Sequence, residues 1–333
     1  MVSISRQRLD ELKHNFKGKR IAIVGDMMLD CYYWGDVKRI SPEAPVPVIE
    51  IENEFFRFGG AANVALNILK LGGVAHPIGV IGYDNNGSVF RSLINENSIE
   101  DDGLIIDDSR PTTAKTRVIA QKQHVVRIDK ESKDYISESI QQKVLDYIKN
   151  NIEHFDGIIL QDYNKGVLTP LLITNIIELA QSNKKLITVD PKFSNFFSYQ
   201  NVTVFKPNRK ETEDALSIRI KTKEDISMAG SMLLEKLNAQ YIMLTLGEEG
   251  IAIFERGKVE ERMPTKARKV ADVSGAGDTV IATLTMALAA GANILEASYL
   301  ANFAGGIVCE EVGIVPIEPD KLFEIVNGDL ADE

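Results

Sequence analysis

Short apolar runs and helix-like segments alternate along the chain, and this alternation restricts the fold more than any other feature. The runs "GIILQDY", "LITVDP" and "YIMLTLG" have the length and composition of buried strands, and helical patterns near 170–181 and 223–237 separate them. Strands that alternate with helices form a parallel sheet that is covered by helices on both faces. We therefore expect an α/β fold with a mostly parallel central sheet.

Two segments do not fit a buried parallel sheet. Residues 35–58 contain prolines and alternate between apolar and polar side chains, and residues 111–130 have the alternation of a half-exposed hairpin. We interpret both as a small β-sheet lid inserted into a single domain that spans residues 1–333. The last predicted elements are two helices, near 276–290 and 293–310.

Composition and charge disfavour several classes of protein. The 333 residues carry a formal net charge of −10, which argues against non-specific binding to nucleic acid. Cys31 and Cys309 do not form a CxxC pair, so we expect neither a disulfide framework nor a zinc site. The polar N-terminal segment does not resemble a signal peptide, and the apolar run 280–292 is too short to span a bilayer. We expect a cytoplasmic protein.

The stretch "DVSGAGDTV" places small residues and a carboxylate directly before an apolar helical segment. A helix N-terminus carries partial positive charge and free N–H groups, and Gly275, Ala276 and Gly277 would let an oxyanion approach that backbone closely. Asp278 could then take a proton from an attacking hydroxyl group while the backbone holds a phosphoryl group. The alternative is that Asp278 only caps the helix.

Two further stretches carry polar side chains where a ligand of an α/β sheet would bind. Gly60 and Asn63, in "FGGAANVALNILKLGG", suit a contact with a sugar hydroxyl at a helix start, although a plain glycine-rich turn explains them as well. Asp26 and Asp30 follow the first strand, and their carboxylates could accept hydrogen bonds from a polyol. Loop acids that face water are the alternative.

The stretch "KPNRKE" places Asn208 and Glu211 three residues apart at the start of a probable helix. Together they could hold a hydrated Mg²⁺ ion, and a capping box is an equally good and compatible explanation. Thr245, in "TLGEEG", could line a nucleotide site or belong to a plain turn. The chain has no GxxxxGK[ST] motif and no GxGxxG after the first strand, so a phosphate site must be of another type.

In their order along nearly the whole chain, these motifs resemble those of the ribokinase-like (PfkB) carbohydrate kinases. "VSGAGDT" is similar to the C-terminal signature of that family, and "FGGAANVALNILKLGG" is similar to the N-terminal one. The resemblance implies a ribokinase-like three-layer sandwich, in which a central sheet lies between helices and a β lid covers the sugar. In this family the lid often pairs with the lid of a second subunit, which implies a homodimer.

Within the family, the chain resembles the heptose-7-phosphate kinase subfamily. The stretch "RISPEAPVPV" is the most specific mark, and "LQDYNKGVL" and "DVSGAGDTVIATL" match as well. This implies that ATP phosphorylates D-glycero-β-D-manno-heptose 7-phosphate at C1 to give the 1,7-bisphosphate, which feeds ADP-heptose synthesis for lipopolysaccharide. Many relatives carry a fused nucleotidyltransferase domain. Because this sequence ends soon after the last kinase motif, we expect another protein to perform the adenylyl transfer.

The resemblance also implies roles for individual positions. Asp278 resembles the catalytic base, and the backbone of Gly275, Ala276 and Gly277 resembles the anion hole. The positions implied for the nucleotide are Asn208, Arg209, Lys210, Glu211, Thr245, Gly247, Gly250 and Asn302, with Mg²⁺ held by Asn208 and Glu211 through water. The positions implied for the heptose are Asp30, Gly60 and Asn63, and the basic candidates for phosphate are Arg117, Arg127, Lys165 and Lys192.

Several questions stay open at this stage. The cofactors implied are ATP and Mg²⁺, and a monovalent cation is possible. The role of Lys206, directly before the Pro-Asn pair, is open as well. Alternative functions are a related kinase for another sugar, sugar phosphate or nucleoside, a non-catalytic sensor, and a scaffold subunit for a separate nucleotidyltransferase.

Overall fold

The structure is a computed structural model that describes residues 4–121, 123–266, 271–311 and 313–332. The strands are β1 Arg20–Gly25, β2 Met27–Ile40, β3 Pro47–Gly60, β4 Val74–Ile81, β5 Leu104–Ile106, β6 Thr113–Ala120, β7 Gln123–Lys130, β8 Gly157–Gln161, β9 Leu186–Asp190, β10 Val204–Phe205, β11 Tyr241–Thr245, β12 Ile251–Glu255 and β13 Glu261–Met263. The helices are α1 Arg6–Phe16, α2 Ala61–Lys70, α3 Asn85–Glu96, α4 Glu138–Asn151, α5 Pro170–Ser182, α6 Arg209–Leu216, α7 Lys223–Leu237, α8 Ala276–Ala289, α9 Ile294–Cys309 and α10 Pro319–Asp332.

The central sheet has nine strands in the order β13-β12-β11-β10-β9-β8-β1-β4-β5. Neighbouring strands pair in parallel from β11 to β5, and β12 and β13 extend the sheet in antiparallel pairing. Along β1, Ile21 and Ile23 lie in one apolar core while Ala22 and Val24 lie in another. Burial on both faces explains why these strands appear in the sequence as continuous apolar runs. The predicted mostly parallel sheet is confirmed.

Helices cover both faces of this sheet and complete three layers. The core on one face takes residues from α1, α2, α3, α8, α9 and α10, including Leu12, Val64 and Ile281. The core on the other face takes residues from α4, α5 and α7, including Ile173 and Leu233. Because each helix buries one apolar side against the sheet, the predicted three-layer sandwich follows from the pattern of the sequence.

A second sheet has four strands in the order β3-β2-β6-β7. The β2–β6 pair is parallel, and the other two pairs are antiparallel. The sheet begins at Met27, eight residues before the predicted boundary at 35, because β2 follows β1 after Asp26 alone. Residues 27–31 are all buried, so they lack the alternation that reveals the rest of this sheet in the sequence. The hairpin predicted within 111–130 is present as β6 and β7.

The expectation that two helices end the fold is wrong, because α10 follows them. Phe323 of α10 packs edge-on against Phe16 of α1, with ring centroids 5.4 Å apart. Leu322 and Val326 are fully buried beside it. This narrow apolar stripe lies among acidic residues, and its pattern was too weak to predict a helix.

Within the described ranges, no helix combines the length and the apolar character that crossing a bilayer requires. The longest one there, α9, has 16 residues. Cys31 and Cys309 are both free thiols.

Candidate active site

Polar side chains gather where the parallel strands of the central sheet end. Gln161, Asp190 and Thr245 are the last residues of β8, β9 and β11, and Asp26 and Lys206 directly follow β1 and β10. A cavity of about 880 Å³ opens beside these strand ends and the start of α8. Among the residues that line it are these predicted ones: Gly275, Ala276, Gly277, Asp278, Lys192, Asn208, Arg209, Lys210, Thr245, Gly247, Gly250 and Asn302.

The start of α8 has the backbone of an anion site. Gly275 is the N-cap residue, with φ +80°, a conformation that favours glycine, and no side chain caps the helix there. Asp278 therefore does not cap the helix, which removes the alternative explanation for this acid. A Cβ atom on Gly277 would lie 3.8 Å from both the Asp190 carboxylate and the Lys206 ammonium. The first-turn N–H groups thus open onto the cavity beside a buried cation.

The Asp278 carboxylate is held by three side chains from different parts of the fold. Its Oδ2 accepts a hydrogen bond from Asn63 Nδ2 at 2.8 Å. Its Oδ1 accepts from Gln161 Nε2 at 3.0 Å and from the Tyr163 hydroxyl at 2.7 Å. Each carboxylate oxygen has about two acceptor sites, so within the part of the chain that the structure describes Oδ1 is saturated and Oδ2 keeps one site free. A substrate hydroxyl can bind at Oδ2 without displacing any of the three donors.

Burial raises the pKa of Asp278 to about 6, although the hydrogen bonds from Asn63 and Tyr163 favour the ionised form. The side chain is only 4% exposed. A carboxylate with a pKa near the operating pH is a better proton acceptor than one with an ordinary pKa. The environment of Asp278 therefore suits a general base.

Two buried or half-buried ion pairs lie beside this acid. Lys206 and Asp190 are both buried, and Lys206 Nζ lies 3.1 Å from Asp190 Oδ2. Lys192 pairs with Glu211. Burial lowers the pKa of Lys192, but the charges of Asp190 and Glu211 more than offset this, so the pKa is raised. Lys192 thus stays cationic, and with the Lys206–Asp190 ion pair it lies next to the start of α8, where a polyphosphate would need positive charge.

Asn208 and Glu211 form a complete capping box at the start of α6. Asn208 Oδ1 accepts from the Glu211 N–H at 2.8 Å, and Glu211 Oε2 accepts from the Asn208 N–H at 2.9 Å. The capping explanation is therefore confirmed for these two residues. No cluster of three or more His, Cys, Asp or Glu side chains suited to a metal occurs in the described part of the chain. Because every side-chain oxygen of Asn208 and Glu211 already has a partner, these residues suit a hydrated Mg²⁺ ion better than a directly bound one.

The residues predicted for the sugar lie on the second sheet and at the start of α2. Gly60 has φ +57°, and a Cβ atom there would lie 2.5 Å from the Asp26 carbonyl oxygen, so only glycine fits. Along the second sheet, Asp30 pairs in register with Lys115, and Arg117 pairs in register with Arg127. Residues two apart on a strand share a face, so these side chains project from one side of the sheet.

The four basic candidates do not form one group. Arg117 pairs with Asp30, and Arg127 pairs with Asp129 at 2.9 Å on the second sheet. Lys165 pairs with Glu131 at 2.7 Å. Lys192, in contrast, lines the cavity at the start of α8. The structure therefore places Lys192 with the predicted nucleotide residues rather than with those predicted for the sugar.

The family model for pfkB family carbohydrate kinases matches residues 19–321. The chain belongs to this family. Curated relatives include the bifunctional protein HldE of Geobacter sulfurreducens, 40% identical over 319 residues, and that of Helicobacter pylori (strain J99), 41% identical over 309 residues. The alignments cover 96% and 93% of this chain but only 65% and 66% of those relatives. This chain is thus a carbohydrate kinase that spans about two thirds of the length of the longer relatives.

Solved structures agree with the fold of this pfkB kinase. Phosphofructokinase-2 from Escherichia coli superimposes with a TM-score of 0.75 at 17% identity, covering 94% of this chain and 99% of the other. Arabidopsis thaliana ribokinase, solved with ribose and ATP, gives a TM-score of 0.72 at 18% identity, covering 92% and 99%. At such low identity the comparison supports the ribokinase-like fold and nothing finer.

Sequence reasoning missed several residues of the kinase site. Gln161 and Tyr163 lie in the stretch "LQDYNKGVL", from which only Lys165 was selected, yet both donate hydrogen bonds to Asp278. Lys115 was not selected at all. The position of Gln161 at the end of a predicted strand was a usable signal, whereas the role of Tyr163 depends on a loop whose path the sequence does not reveal.

Asp26 fixes the loop after β8, which carries Tyr163. Its Oδ2 accepts from the N–H groups of Tyr163 at 2.8 Å and Lys165 at 3.1 Å, and its Oδ1 accepts from that of Val167 at 3.2 Å. Burial and the charge of Asp162 raise the pKa of Asp26 to about 6 against the effect of these three bonds. Asp26 thus orders the segment that carries Tyr163 to Asp278, and it does so from inside the protein rather than as a ligand of the sugar.

The substitution Asp26→Ala should lower the free energy of unfolding by about 3 kcal/mol, because unsatisfied buried N–H groups cost roughly 1–3 kcal/mol each and relief of the buried charge offsets part of this. Urea denaturation at pH 7.5 measures the change, and hydrogen exchange should show faster exchange at the amides of residues 163–167. The exposed Asp10 offers the control Asp10→Ala, for which a change within about 0.5 kcal/mol is expected. Equal effects of the two substitutions would contradict the assigned role of Asp26.

Proposed function

We propose that this kinase transfers the γ-phosphoryl group of ATP to the C1 hydroxyl of D-glycero-β-D-manno-heptose 7-phosphate. The observation that carries the proposal is the buried Asp278 carboxylate with one free acceptor site on Oδ2, directly inside an anion-binding helix start. The stretches "RISPEAPVPV" and "LQDYNKGVL" support the choice of sugar, because they resemble the heptose-7-phosphate kinase subfamily.

In the proposed reaction Asp278 Oδ2 accepts the proton of the C1 hydroxyl while that oxygen forms a bond to the γ-phosphorus. The bond from phosphorus to the bridging oxygen breaks, and ADP leaves. The first-turn N–H groups of α8, with Lys206 beside them, would stabilise the charge on the transferring group. Mg²⁺ bound to the ATP phosphates would supply further charge neutralisation, with Asn208 and Glu211 holding it through water.

Two acceptors beside Asp278 suit a polyol substrate. Asn63 Oδ1 and Gln161 Oε1 are buried and lack a hydrogen-bond partner among the described residues. Asn63 donates to Asp278, and Gln161 donates to both Asp278 and Asp190, which fixes the orientation of the two amides. A buried acceptor without a partner is costly, and a sugar hydroxyl would satisfy it.

A coupled ADP-release assay with a panel of sugars tests the proposal. We expect the highest kcat/KM with heptose 7-phosphate, and lower values with free heptose, ribose, fructose and fructose 6-phosphate. A clear preference for another member of the panel would assign the chain to a different sugar. ATP consumption with none of them would favour the sensor or scaffold alternatives.

Asp278→Asn is the matched variant in the same assay. It should lower kcat by roughly 10²–10⁴, the usual scale for loss of a general base, while ATP still binds. A melting curve checks that the fold persists. Near-normal turnover in a folded Asp278→Asn protein would remove Asp278 from the mechanism.

The activity should depend on pH through Asp278. Because its pKa is raised to about 6, the carboxylate is ionised above that pH and protonated below it, and only the ionised form accepts a proton. We expect kcat at saturating substrate to fall about tenfold per pH unit below pH 6 and to level off above pH 7. Substrate phosphates titrate in the same range, so the residual rate of Asp278→Asn is the control. If the rate of Asp278→Asn falls by the same factor below pH 6, the titration belongs to the substrates.

We further propose a homodimer formed through the second sheet. Large apolar side chains are exposed there, among them Ile40 at 61%, Ile128 at 55% and Ile51 at 48%. Exposed apolar residues clustered on one face are typical of a protein interface. Light scattering should give the mass of two chains, and Ile128→Asp should shift the equilibrium toward one. A wild-type mass of one chain at micromolar concentration would contradict the dimer.

A further inference from the structure

Lys115 has no acidic partner among the described residues, and it lies on the side of the second sheet that faces the central domain. It lies on β6, and its ammonium group is 5.6 Å from the centroid of the Tyr163 ring. The side chain is half-buried, yet it makes no ion pair and donates no hydrogen bond to any described residue. Other lysines near the site, such as Lys165 and Lys192, each pair with a carboxylate.

The acids around Lys115 are already engaged. Asp30 lies directly opposite Lys115 in the β2–β6 register, but its carboxylate binds the Arg117 guanidinium. Asp129, opposite Lys115 on β7, binds Arg127 through two hydrogen bonds. Arg117, Arg127 and Lys115 thus carry three positive charges, and Asp30 and Asp129 carry two negative charges. The one positive charge in excess is that of Lys115.

Such an arrangement is unfavourable in the absence of a ligand. Burial lowers the pKa of Lys115, and although Asp30 opposes this, the nearby charges of Lys165 and Arg117 lower the pKa further. An unpaired, partly desolvated ammonium next to two other cations costs free energy, and an anion between them would recover it.

The position of Lys115 relative to the catalytic acid sets the size of such a ligand. Tyr163 donates its hydroxyl hydrogen to Asp278, and Lys115 lies over the ring of the same side chain. The ammonium and the carboxylate are thus separated by one phenol ring and its contacts, a distance on the order of 10 Å. A sugar of six or seven carbons with a terminal phosphate has a comparable length.

We propose that Lys115 binds a phosphate monoester carried by the acceptor sugar at the end opposite its reacting hydroxyl, with Arg117 and Lys165 beside it. This inference rests on the proposed sugar-kinase function and deepens it. It makes Lys115 the residue that distinguishes a phosphorylated sugar from the free sugar. Arg117 and Lys165 contribute less direct binding, because their charges are already shared with Asp30 and Glu131.

The test compares Lys115→Met, which removes the charge and keeps an unbranched side chain, with Lys115→Arg, which keeps the charge. Lys38→Met is the control, because Lys38 lies at the exposed end of β2 in the same sheet and pairs with Glu50 at 3.0 Å. Steady-state kinetics are measured with heptose 7-phosphate and with free heptose, at saturating ATP, and the KM for ATP is measured separately. Calorimetry with heptose 7-phosphate and no ATP gives a readout that does not need turnover.

For Lys115→Met we expect the KM and the Kd for heptose 7-phosphate to rise roughly 10–100-fold, the range that loss of a charge-assisted hydrogen bond predicts. The kinetic constants for free heptose and the KM for ATP should change less than twofold. Lys115→Arg should recover most of the affinity, and Lys38→Met should behave as the wild type. Since Lys115→Met removes an unpaired charge, its melting temperature should not fall.

Three results would overturn the assignment. One is an equal loss with phosphorylated and free heptose, which would make Lys115 a general structural residue. Another is a rise in the KM for ATP alone, which would place the nucleotide there. The third is an unchanged Kd for heptose 7-phosphate in Lys115→Met. If no sugar of the panel is phosphorylated, the proposed function fails, while the calorimetric comparison still decides whether Lys115 binds the phosphate.

Discussion

The arrangement of the site depends on the hydrogen bonds that hold the Asp278 carboxylate. Asn63 comes from α2, Gln161 from the end of β8 and Tyr163 from the loop after it, so two segments distant from each other and from Asp278 in sequence meet at one buried charge. Burial of a carboxylate is costly unless donors surround it, and these donors offset the cost while leaving Oδ2 one acceptor site. The same contacts therefore fix the position of the Asp278 carboxylate and leave one of its oxygens able to accept a proton. Asp26 extends this order by fixing the loop of Tyr163.

The elements of the central sheet could be predicted because each strand is buried on both faces, as Ile21 and Ala22 on opposite sides of β1 illustrate. The start of β2 could not be predicted, because residues 27–31 are all buried and their sequence lacks the alternation of apolar and polar residues that marks the rest of this strand. In the candidate site, Asp278 and the residues before it could be selected from the sequence because the chemistry of a helix start is local in sequence. Asn208 and Glu211 were found for the same reason, and their spacing correctly suggested a capping box.

The residues that were missed acquire their roles only through tertiary contacts. Nothing in the sequence shows that Asp30 binds Arg117 rather than Lys115, the residue directly opposite Asp30 in the register of β2 against β6. The contact of Tyr163 with Asp278 likewise requires the turn that Asp26 stabilises. Lys192, expected to bind a phosphate group, lies two residues after the end of β9 and lines the cavity at the start of α8.

The distribution of positive charge links these observations. In a chain with a net charge of −10, Lys115 and Lys192 lie 5.6 Å and 5.5 Å from the centroid of the same ring, that of Tyr163. Lys192 belongs to the cavity at the start of α8 and Lys115 to the second sheet, so two separate elements each place a cation beside that ring. A substrate pair with phosphate at both ends, a nucleotide on one side and a sugar phosphate on the other, matches that separation. The reacting hydroxyl would then lie between them, next to the one carboxylate oxygen that keeps a free acceptor site.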